Sequence, residues 1–177
     1  MRRLAATLLA AAFLGGCATP PPQIESPGDI LSGRMTVHVD ATPSSEARNV
    51  TATFDLRGGP RQGRLDMSTP LGTVLAQARW APGKVALVTS QGEQRFANLD
   101  ELTREVLGES LPVAALFDWL RGRPWTGAPS EPSAKPAGPG FAQLGWVVDL
   151  ARFDEGLIAA RRAAPPAVTV RAKLDRP

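Results

Sequence analysis

Apolar and polar residues alternate along most of the chain, and this two-residue period predicts a domain built mainly of antiparallel β-strands. The alternation begins at Met35 to Ala41 and Val50 to Arg57, and it continues on both sides of a turn between Arg64 and Trp80. Further alternating segments cover residues 84–90, 94–97, 144–150, 157–161 and 168–174. We therefore expect about nine strands that share one apolar face.

Two stretches have helical spacing instead. Asn98 can cap the first helix and Gly108 ends it, whereas the second begins after Ser110, accepts Pro112 in its first turn and stops at Gly122. The apolar stripes consist of Leu99, Leu102, Val106 and Leu107 in the first helix and Val113, Leu116, Phe117 and Leu120 in the second. Each stripe predicts a helix that lies with one face on the sheet.

The turn between Arg64 and Trp80 contains an unusual residue. Pro70 restricts φ and Gly72 tolerates positive φ, so both suit a tight hairpin turn, but a solvated turn has no need of Leu71 between them. That leucine either folds back onto the core or points outward, where it can enter a membrane or an apolar groove of another protein. Because the chain also carries the export and lipidation signals described next, we favour the outward orientation.

The first residues predict export. Arg2 and Arg3 precede an apolar run from Leu4 to Leu14 that is too short to span a bilayer as a helix, which is typical of a signal peptide over residues 1–16. The run ends in Leu14-Gly15-Gly16-Cys17, which resembles the lipobox of bacterial lipoproteins. Cys17 is the only cysteine, so it cannot form an internal disulfide, and we predict that it carries a lipid. The alternative is an ordinary signal peptide followed by a free thiol.

Composition divides the remainder of the chain. Residues 17–32 are rich in proline and serine and are expected to form an acylated tether, and residues 33–177 have the size of one domain. Residues 126–140 are of low complexity and are expected to form a flexible loop within that domain. Removal of Arg2 and Arg3 lowers the formal net charge from +3 to +1, so a nucleic-acid partner is not expected.

Two helices cannot cover the apolar face of such a sheet. About nine strands at ~4.8 Å spacing are ~40 Å wide, whereas two helices of ~10 Å diameter cover about half of that width. The sheet can close around its own side chains or curl into an open barrel that encloses an apolar cavity, and the sequence allows both. The candidate cavity residues are Phe54, Trp80, Leu116, Phe117, Leu120 and Trp146.

The chain has little with which to build an enzyme. His38 is the sole histidine, and it shares a strand face with Asp40, but no serine is positioned to complete a triad. Metal-ligand spacing is absent from the sequence. We therefore expect no catalysis and no cofactor apart from the covalent lipid on Cys17.

Five segments resemble the outer-membrane lipoprotein receptor LolB family. They are the lipobox ending in Cys17, the strand start SGRM, the hairpin STPLG, the helix LPVAALFDWLRGRP and the strand GWVVDL. The resemblance implies an open, strongly curved antiparallel β-barrel, or half-barrel, under a helical lid. It also implies an acyl-binding cavity and an outward hairpin tip at Pro70, Leu71 and Gly72.

The resemblance further implies a function. Such a receptor accepts lipoproteins from the periplasmic carrier LolA and inserts them into the outer membrane, so LolA, cargo lipoproteins and the membrane are the expected partners. In the lipoprotein pattern, Ala18 rather than Asp after the cysteine implies the periplasmic face of the outer membrane. We expect a lipid-anchored monomer. The alternative is a structural lipoprotein that uses Leu71 and a sheet edge to scaffold a membrane assembly.

Overall fold

Eleven antiparallel strands form one continuous sheet in the computed structural model, which describes residues 30–133 and 138–175. The strands are β1 (Leu31–Val39), β2 (Arg48–Gly58), β3 (Gly63–Ser68), β4 (Val74–Ala81), β5 (Lys84–Thr89), β6 (Gly92–Phe96), β7 (Ser130–Pro132), β8 (Gly140–Gln143), β9 (Trp146–Asp149), β10 (Leu157–Arg162) and β11 (Val168–Leu174). Two helices follow β6, namely α1 (Leu99–Leu107) and α2 (Val113–Trp119). A short 3₁₀ turn, Phe153–Glu155, connects β9 to β10.

The sheet is open. Its strand order is β6-β5-β4-β3-β2-β1-β11-β10-β9-β8-β7, so the chain runs outward from β1 to the edge strand β6, resumes at the opposite edge with β7 and runs inward to β11, which pairs with β1. The edge strands β6 and β7 do not pair with each other. This arrangement confirms the predicted mainly β fold with an open antiparallel barrel and excludes the closed barrel that the sequence also allowed.

One face of the sheet is largely buried between the two edge strands, β6 and β7. In β11, for example, Val168, Val170, Ala172 and Leu174 are buried while Arg171 and Lys173 between them are exposed. The buried side chains of the other long strands lie on the same face and pack with residues of α1 and α2 in one hydrophobic core. The helices therefore cover the concave face, as the apolar stripes predict.

Local capping explains where α1 begins and ends. The side chain of Asn98 accepts a hydrogen bond from the backbone N–H of Glu101 at 2.8 Å, and the Glu101 carboxylate accepts one from the N–H of Ala97 at 2.7 Å. Gly108 ends the helix, and its N–H donates to the carbonyl oxygen of Arg104. These bonds satisfy backbone groups that the helix itself leaves unpaired.

The N-terminal boundary differs from the prediction. The sequence predicts a domain that begins at residue 33, but β1 begins at Leu31, which pairs with Leu56 of β2. The hydroxyl of Ser32 also donates to the carboxylate of Asp55. The pairing partner of these residues lies more than twenty positions away, so the composition of the tether does not reveal it.

The segment expected to be a loop at residues 126–140 contains the edge strand β7 and the first residue of β8. Its anchor is the buried amide of Gln143 on β8. The amide donates to the carbonyl oxygens of Trp125 at 2.7 Å and Ala128 at 2.8 Å, and it accepts from the N–H of Trp125 at 2.9 Å. These long-range bonds hold the start of the segment against the sheet.

The strand predicted from residue 144 begins instead at Trp146. Leu144 and Gly145 form a two-residue turn, because Gln143 pairs directly with Trp146. The side chain of Leu144 therefore does not continue the buried face of the following strand, and it is 47% exposed. Apolar alternation alone did not reveal this turn.

Candidate functional site

An apolar cavity lies between the concave face of β1 to β4 and the two helices. Its volume is about 280 Å³, and 21 of its 22 lining residues are apolar. The strands contribute Met35, Val37, Val50, Ala52, Phe54, Leu56, Leu65, Met67, Leu75, Ala76, Ala78 and Trp80, and the helical segment contributes Leu99, Leu102, Val106, Leu107, Leu111, Val113, Leu116, Phe117 and Leu120. The cavity can therefore accept hydrocarbon but offers almost nothing to a polar ligand.

The single polar lining residue, Thr103, does not change this chemistry. Its hydroxyl donates to the carbonyl oxygen of Asp100 at 3.2 Å and accepts from the N–H of Leu111 at 3.0 Å. Both capacities of the hydroxyl are thus used within the helical segment, where they join α1 to the start of α2. The hydroxyl has no need of a partner from a ligand.

Five of the six residues predicted to line a cavity do line it. They are Phe54, Trp80, Leu116, Phe117 and Leu120. The indole Nε1–H of Trp80 donates a hydrogen bond to the carbonyl oxygen of Gly59 at 2.9 Å, which fixes the ring and satisfies its polar end. A Cβ at Gly63 would lie 2.5 Å from Cζ2 of this ring, so the glycine is required where the indole crosses β3.

Trp146, the sixth residue, lies in a different part of the interior. Its ring packs on Trp119 of α2, with centroids 5.9 Å apart, and the guanidinium carbon of Arg162 lies 5.7 Å from its centroid. Trp119 also contacts Phe141, and its Nε1 donates to the side-chain oxygen of Gln143 at 2.8 Å. Because α2 buries side chains on two sides, it separates this filled region from the cavity.

Several cavity residues were not among the candidates. Aliphatic side chains of β1 and β3, such as Met35 and Met67, and of α1, such as Val106, contribute much of the wall. The alternation and the helical stripes already indicated that these positions face inward. The candidates were mostly aromatic or on α2, and nothing local in the sequence distinguishes a wall residue from a residue in a filled core.

The β3–β4 hairpin ends in a tight turn over residues 69–73. The N–H of Gly72 donates to the carbonyl oxygen of Thr69 at 2.9 Å, and the N–H of Thr69 donates to the carbonyl oxygen of Thr73 at 2.8 Å. Pro70 follows the first residue of this turn, and Gly72 has a φ of 85°, which a side chain would disfavour. Leu71 is 95% exposed, so its side chain points outward and away from the core.

The apolar surface of the turn extends to the cavity. Val74 and Leu75 follow the turn and are both exposed. The pairing shifts here, because Met67 pairs with Ala76 and Ser68 with Val74, which leaves Leu75 as the extra residue of a bulge. Leu75 also lines the cavity, so apolar side chains connect the wall of the cavity to Leu71.

Polar contacts hold the helical segment at its middle. Nη1 of Arg48 on β2 donates to the carbonyl oxygen of Val106 at 3.1 Å, near the end of α1. Nη2 of Arg162 on β10 donates to the carboxylate of Glu109 at 2.8 Å, between the helices. Cations are favourable at a helix C-terminus, where carbonyl groups lack helical partners. The two arginines therefore fix the connection between α1 and α2 to the sheet.

The ionisable groups of the described residues lie outside the cavity. His38 and Asp40 form a pair at the surface, with 3.1 Å between Nε2 and Oδ1. The hydrogen bond from Arg152 lowers the pKa of the exposed Glu155 carboxyl below its ordinary value and raises that of Arg152. Within residues 30–133 and 138–175, no three histidine, cysteine, aspartate or glutamate side chains converge as metal ligands.

Two predictions concern the membrane anchor. Cys17 and the preceding signal residues lie outside the described residues, so lipidation stays a prediction. In the part of the chain that the structure describes, neither helix is long and apolar enough to cross a membrane.

Most of the chain is similar in sequence to one protein family. Residues 31–175 match the family model described as outer membrane lipoprotein LolB. The chain is 33% identical to the outer-membrane lipoprotein LolB of Bordetella petrii, covering 94% of this chain and 88% of the relative. It is 31% identical to the protein of that name from Chromobacterium violaceum, over 86% and 84% of the two chains, and 32% identical to that of Dechloromonas aromatica, over 99% and 91%.

Proposed function

Because the chain belongs to the outer-membrane lipoprotein LolB family, which serves lipoprotein localisation at the outer membrane, we propose that it is the receptor that inserts lipoproteins there. In this proposal it accepts cargo from the periplasmic carrier LolA, holds the acyl chains of the cargo in the cavity and releases them into the membrane. The single observation that supports it best is the cavity itself, whose only polar lining residue is internally hydrogen-bonded.

The proposed transfer needs no bond chemistry. Each buried CH₂ group contributes roughly 0.8 kcal/mol, so an acyl chain moves to whichever site buries it better. A receptor that holds the chain more tightly than the carrier drives transfer in one direction, and the membrane then takes the chain from the receptor. Neither step requires ATP or a catalytic residue.

The hairpin tip supplies the proposed membrane contact. Leu71 is exposed at the end of a turn, and Val74 and Leu75 continue its apolar surface towards the cavity. An apolar side chain held at such a tip can enter the hydrocarbon boundary of a bilayer, where its exposure to water ends. We propose that this contact opens a route along which acyl chains leave the cavity for the membrane.

The proposed anchor places these parts at the membrane surface. Lipidation at Cys17 leaves residues 18–30 between the lipid and the start of β1. We propose that the mature protein is a monomer on the periplasmic face of the outer membrane, with a domain that can reach both the carrier and the bilayer.

A transfer assay tests the proposal. Carrier loaded with a fluorescent lipoprotein is mixed with liposomes that contain the purified full-length acylated protein, and cargo is measured in the carrier, receptor and lipid fractions. We expect cargo to appear first on the receptor and then in the lipid. If the protein neither removes cargo from the carrier nor copurifies with acyl chains, the receptor proposal is wrong, and copurification with a membrane protein would favour a scaffold.

A further inference from the structure

The β8–β9 hairpin has an unexpected residue at its tip. Its turn consists of Leu144 and Gly145, with φ values of 54° and 76°. Positive φ at both positions is the pattern of a type I′ turn, in which asparagine, aspartate and glycine are preferred. Among residues 30–133 and 138–175, Leu144 is the only residue other than glycine with a positive φ. The backbone therefore disfavours the leucine that stands here.

Solvent also disfavours this leucine. Its side chain is 47% exposed, and that of Val147 on the adjoining strand is 53% exposed. Ala142 pairs with Val147 across the hairpin and is partly exposed beside it. A single exposed apolar residue is common and needs no explanation. Here, however, an apolar residue occupies a turn position where a small polar residue would suit both the positive φ of the backbone and the exposure to solvent.

The turn lies at the same end of the sheet as Leu71. The pairings can be followed in one row from strand to strand through Gln143, Trp146, Arg162, Val168, Val39 and Arg48. Strand β3 is antiparallel to β2, and its last residue, Ser68, pairs with Thr53 of β2. Beyond Ser68 the chain continues in the direction that leads along β2 from Thr53 to Arg48, so the Leu71 turn lies towards the Arg48 end of the sheet. Both leucine-tipped turns therefore belong to one rim of the open sheet.

A cationic side chain lies beside the second tip on the outer face. Arg161 of β10 pairs directly with Val147. This arginine is exposed, and no acidic group of the described residues lies within ion-pair distance of it. Arginine beside apolar side chains suits the boundary of a bilayer, where phosphate groups lie next to hydrocarbon.

We infer that the β8–β9 tip, comprising Ala142, Leu144, Val147 and the neighbouring Arg161, is a second contact with the lipid bilayer. Leu144 and Val147 enter the hydrocarbon boundary, and Arg161 binds lipid phosphate. The inference rests on the proposed delivery of lipoproteins to a membrane. Two contacts on one rim fix the tilt of the domain on the bilayer, which a single hairpin cannot do.

Site-specific labelling tests the inference in the full chain. Cys17 is the only cysteine, so in the acylated protein Leu144→Cys introduces the only free thiol for an environment-sensitive fluorophore. The protein is anchored in liposomes that carry a quencher on the acyl chains. Leu71→Cys reports the first tip, and Arg61→Cys in the turn between β2 and β3 is the control, because that turn lies at the opposite end of the sheet. Unsubstituted protein measures background labelling.

We expect the label at position 144 to shift to shorter wavelength and to be quenched, while the label at position 61 is not. Quenching at position 71 without quenching at 144 overturns this inference and leaves the proposed delivery function standing. Absence of quenching at both positions overturns both membrane contacts. Quenching at 144 supports the inference whatever the label at 71 reports.

A functional variant gives an independent measurement. Leu144→Asn suits the turn backbone, so we expect an equal or higher Tm. The variant lacks the favourable transfer of roughly half a leucine side chain from water into lipid. We therefore expect cargo delivery to liposomes to fall about fivefold. Ile30→Asn is the matched control. Ile30 is 56% exposed and lies directly before the first residue of β1, at the opposite end of the sheet from this rim. Unchanged delivery, or a lower Tm, would overturn the inference.

Discussion

Trp80 and Phe117 meet edge to face inside the cavity, with ring centroids 5.7 Å apart and ring planes inclined by 69°. Trp80 belongs to β4 and Phe117 to α2, so this contact joins the sheet to the helical lid. Both rings also line the cavity, which leaves part of their surface without packing partners. The contact therefore bears on both stability and acyl binding, and substitution can separate the two.

Phe117→Ala should reduce stability by less than the ~3–5 kcal/mol typical of a phenylalanine in a filled core, because its ring borders space that is already empty. Acyl binding should change, since the wall of the cavity is altered. Denaturant unfolding beside a lipid-binding assay measures both quantities. Phe141→Ala is the control, because Phe141 packs on Trp119 outside the cavity. If Phe117→Ala lowered the free energy of unfolding by the full ~3–5 kcal/mol and left acyl binding normal, the proposal that this cavity holds acyl chains would be wrong.

Leu71→Glu should abolish or strongly reduce delivery to liposomes while folding and receipt of cargo from the carrier persist. Pro70 and Gly72 keep the turn intact, whereas a carboxylate in the bilayer boundary loses its hydration. Circular dichroism, cargo transfer from the carrier and cargo incorporation into liposomes are the three measurements. Leu71→Ile, which keeps the apolar volume, should deliver normally. Normal delivery by the glutamate variant would leave Leu71 without the proposed role.

Gln143→Ala should destabilise the domain by at least about 2 kcal/mol. It leaves the buried indole N–H of Trp119 without its partner, and an unsatisfied buried group costs ~1–3 kcal/mol. The part-buried N–H and carbonyl of Trp125 and the part-buried carbonyl of Ala128 lose their partner as well. Thermal unfolding measures the loss, and limited proteolysis should show cleavage near residues 125–132. Gln94→Ala on the exposed edge strand β6 is the control and should unfold like the parent protein.

Cys17→Ala should prevent lipid attachment, so the protein remains uncleaved or is released from the membrane. Intact mass and membrane fractionation measure this outcome. Ala18→Asp is a complementary variant that keeps the acylated cysteine, and by the lipoprotein sorting pattern it should move the protein to the inner membrane. An unchanged mass and fraction for Cys17→Ala would show that Cys17 is not the anchor.

Features that depend on near neighbours could be predicted from the order of residues alone. Alternation identified the long strands because successive side chains of a strand point to opposite faces. The caps of α1 could be predicted because Asn98 and Glu101 are only three residues apart in the bond that starts the helix. The turn at Pro70 and Gly72 was predictable for the same reason, although the sequence left two orientations open for Leu71.

Which inward-facing residues border empty space depends on the packing of distant elements, so it became visible only in the folded chain. Trp80 and Trp146 both alternate with polar neighbours, yet one lines the cavity and the other fills the region beyond α2. Likewise, Gln143 bonds to groups 15 to 24 positions away, so composition alone indicated a loop where β7 forms. Local periodicity specifies the face on which a side chain lies, whereas the elements packed opposite that face decide what the side chain meets.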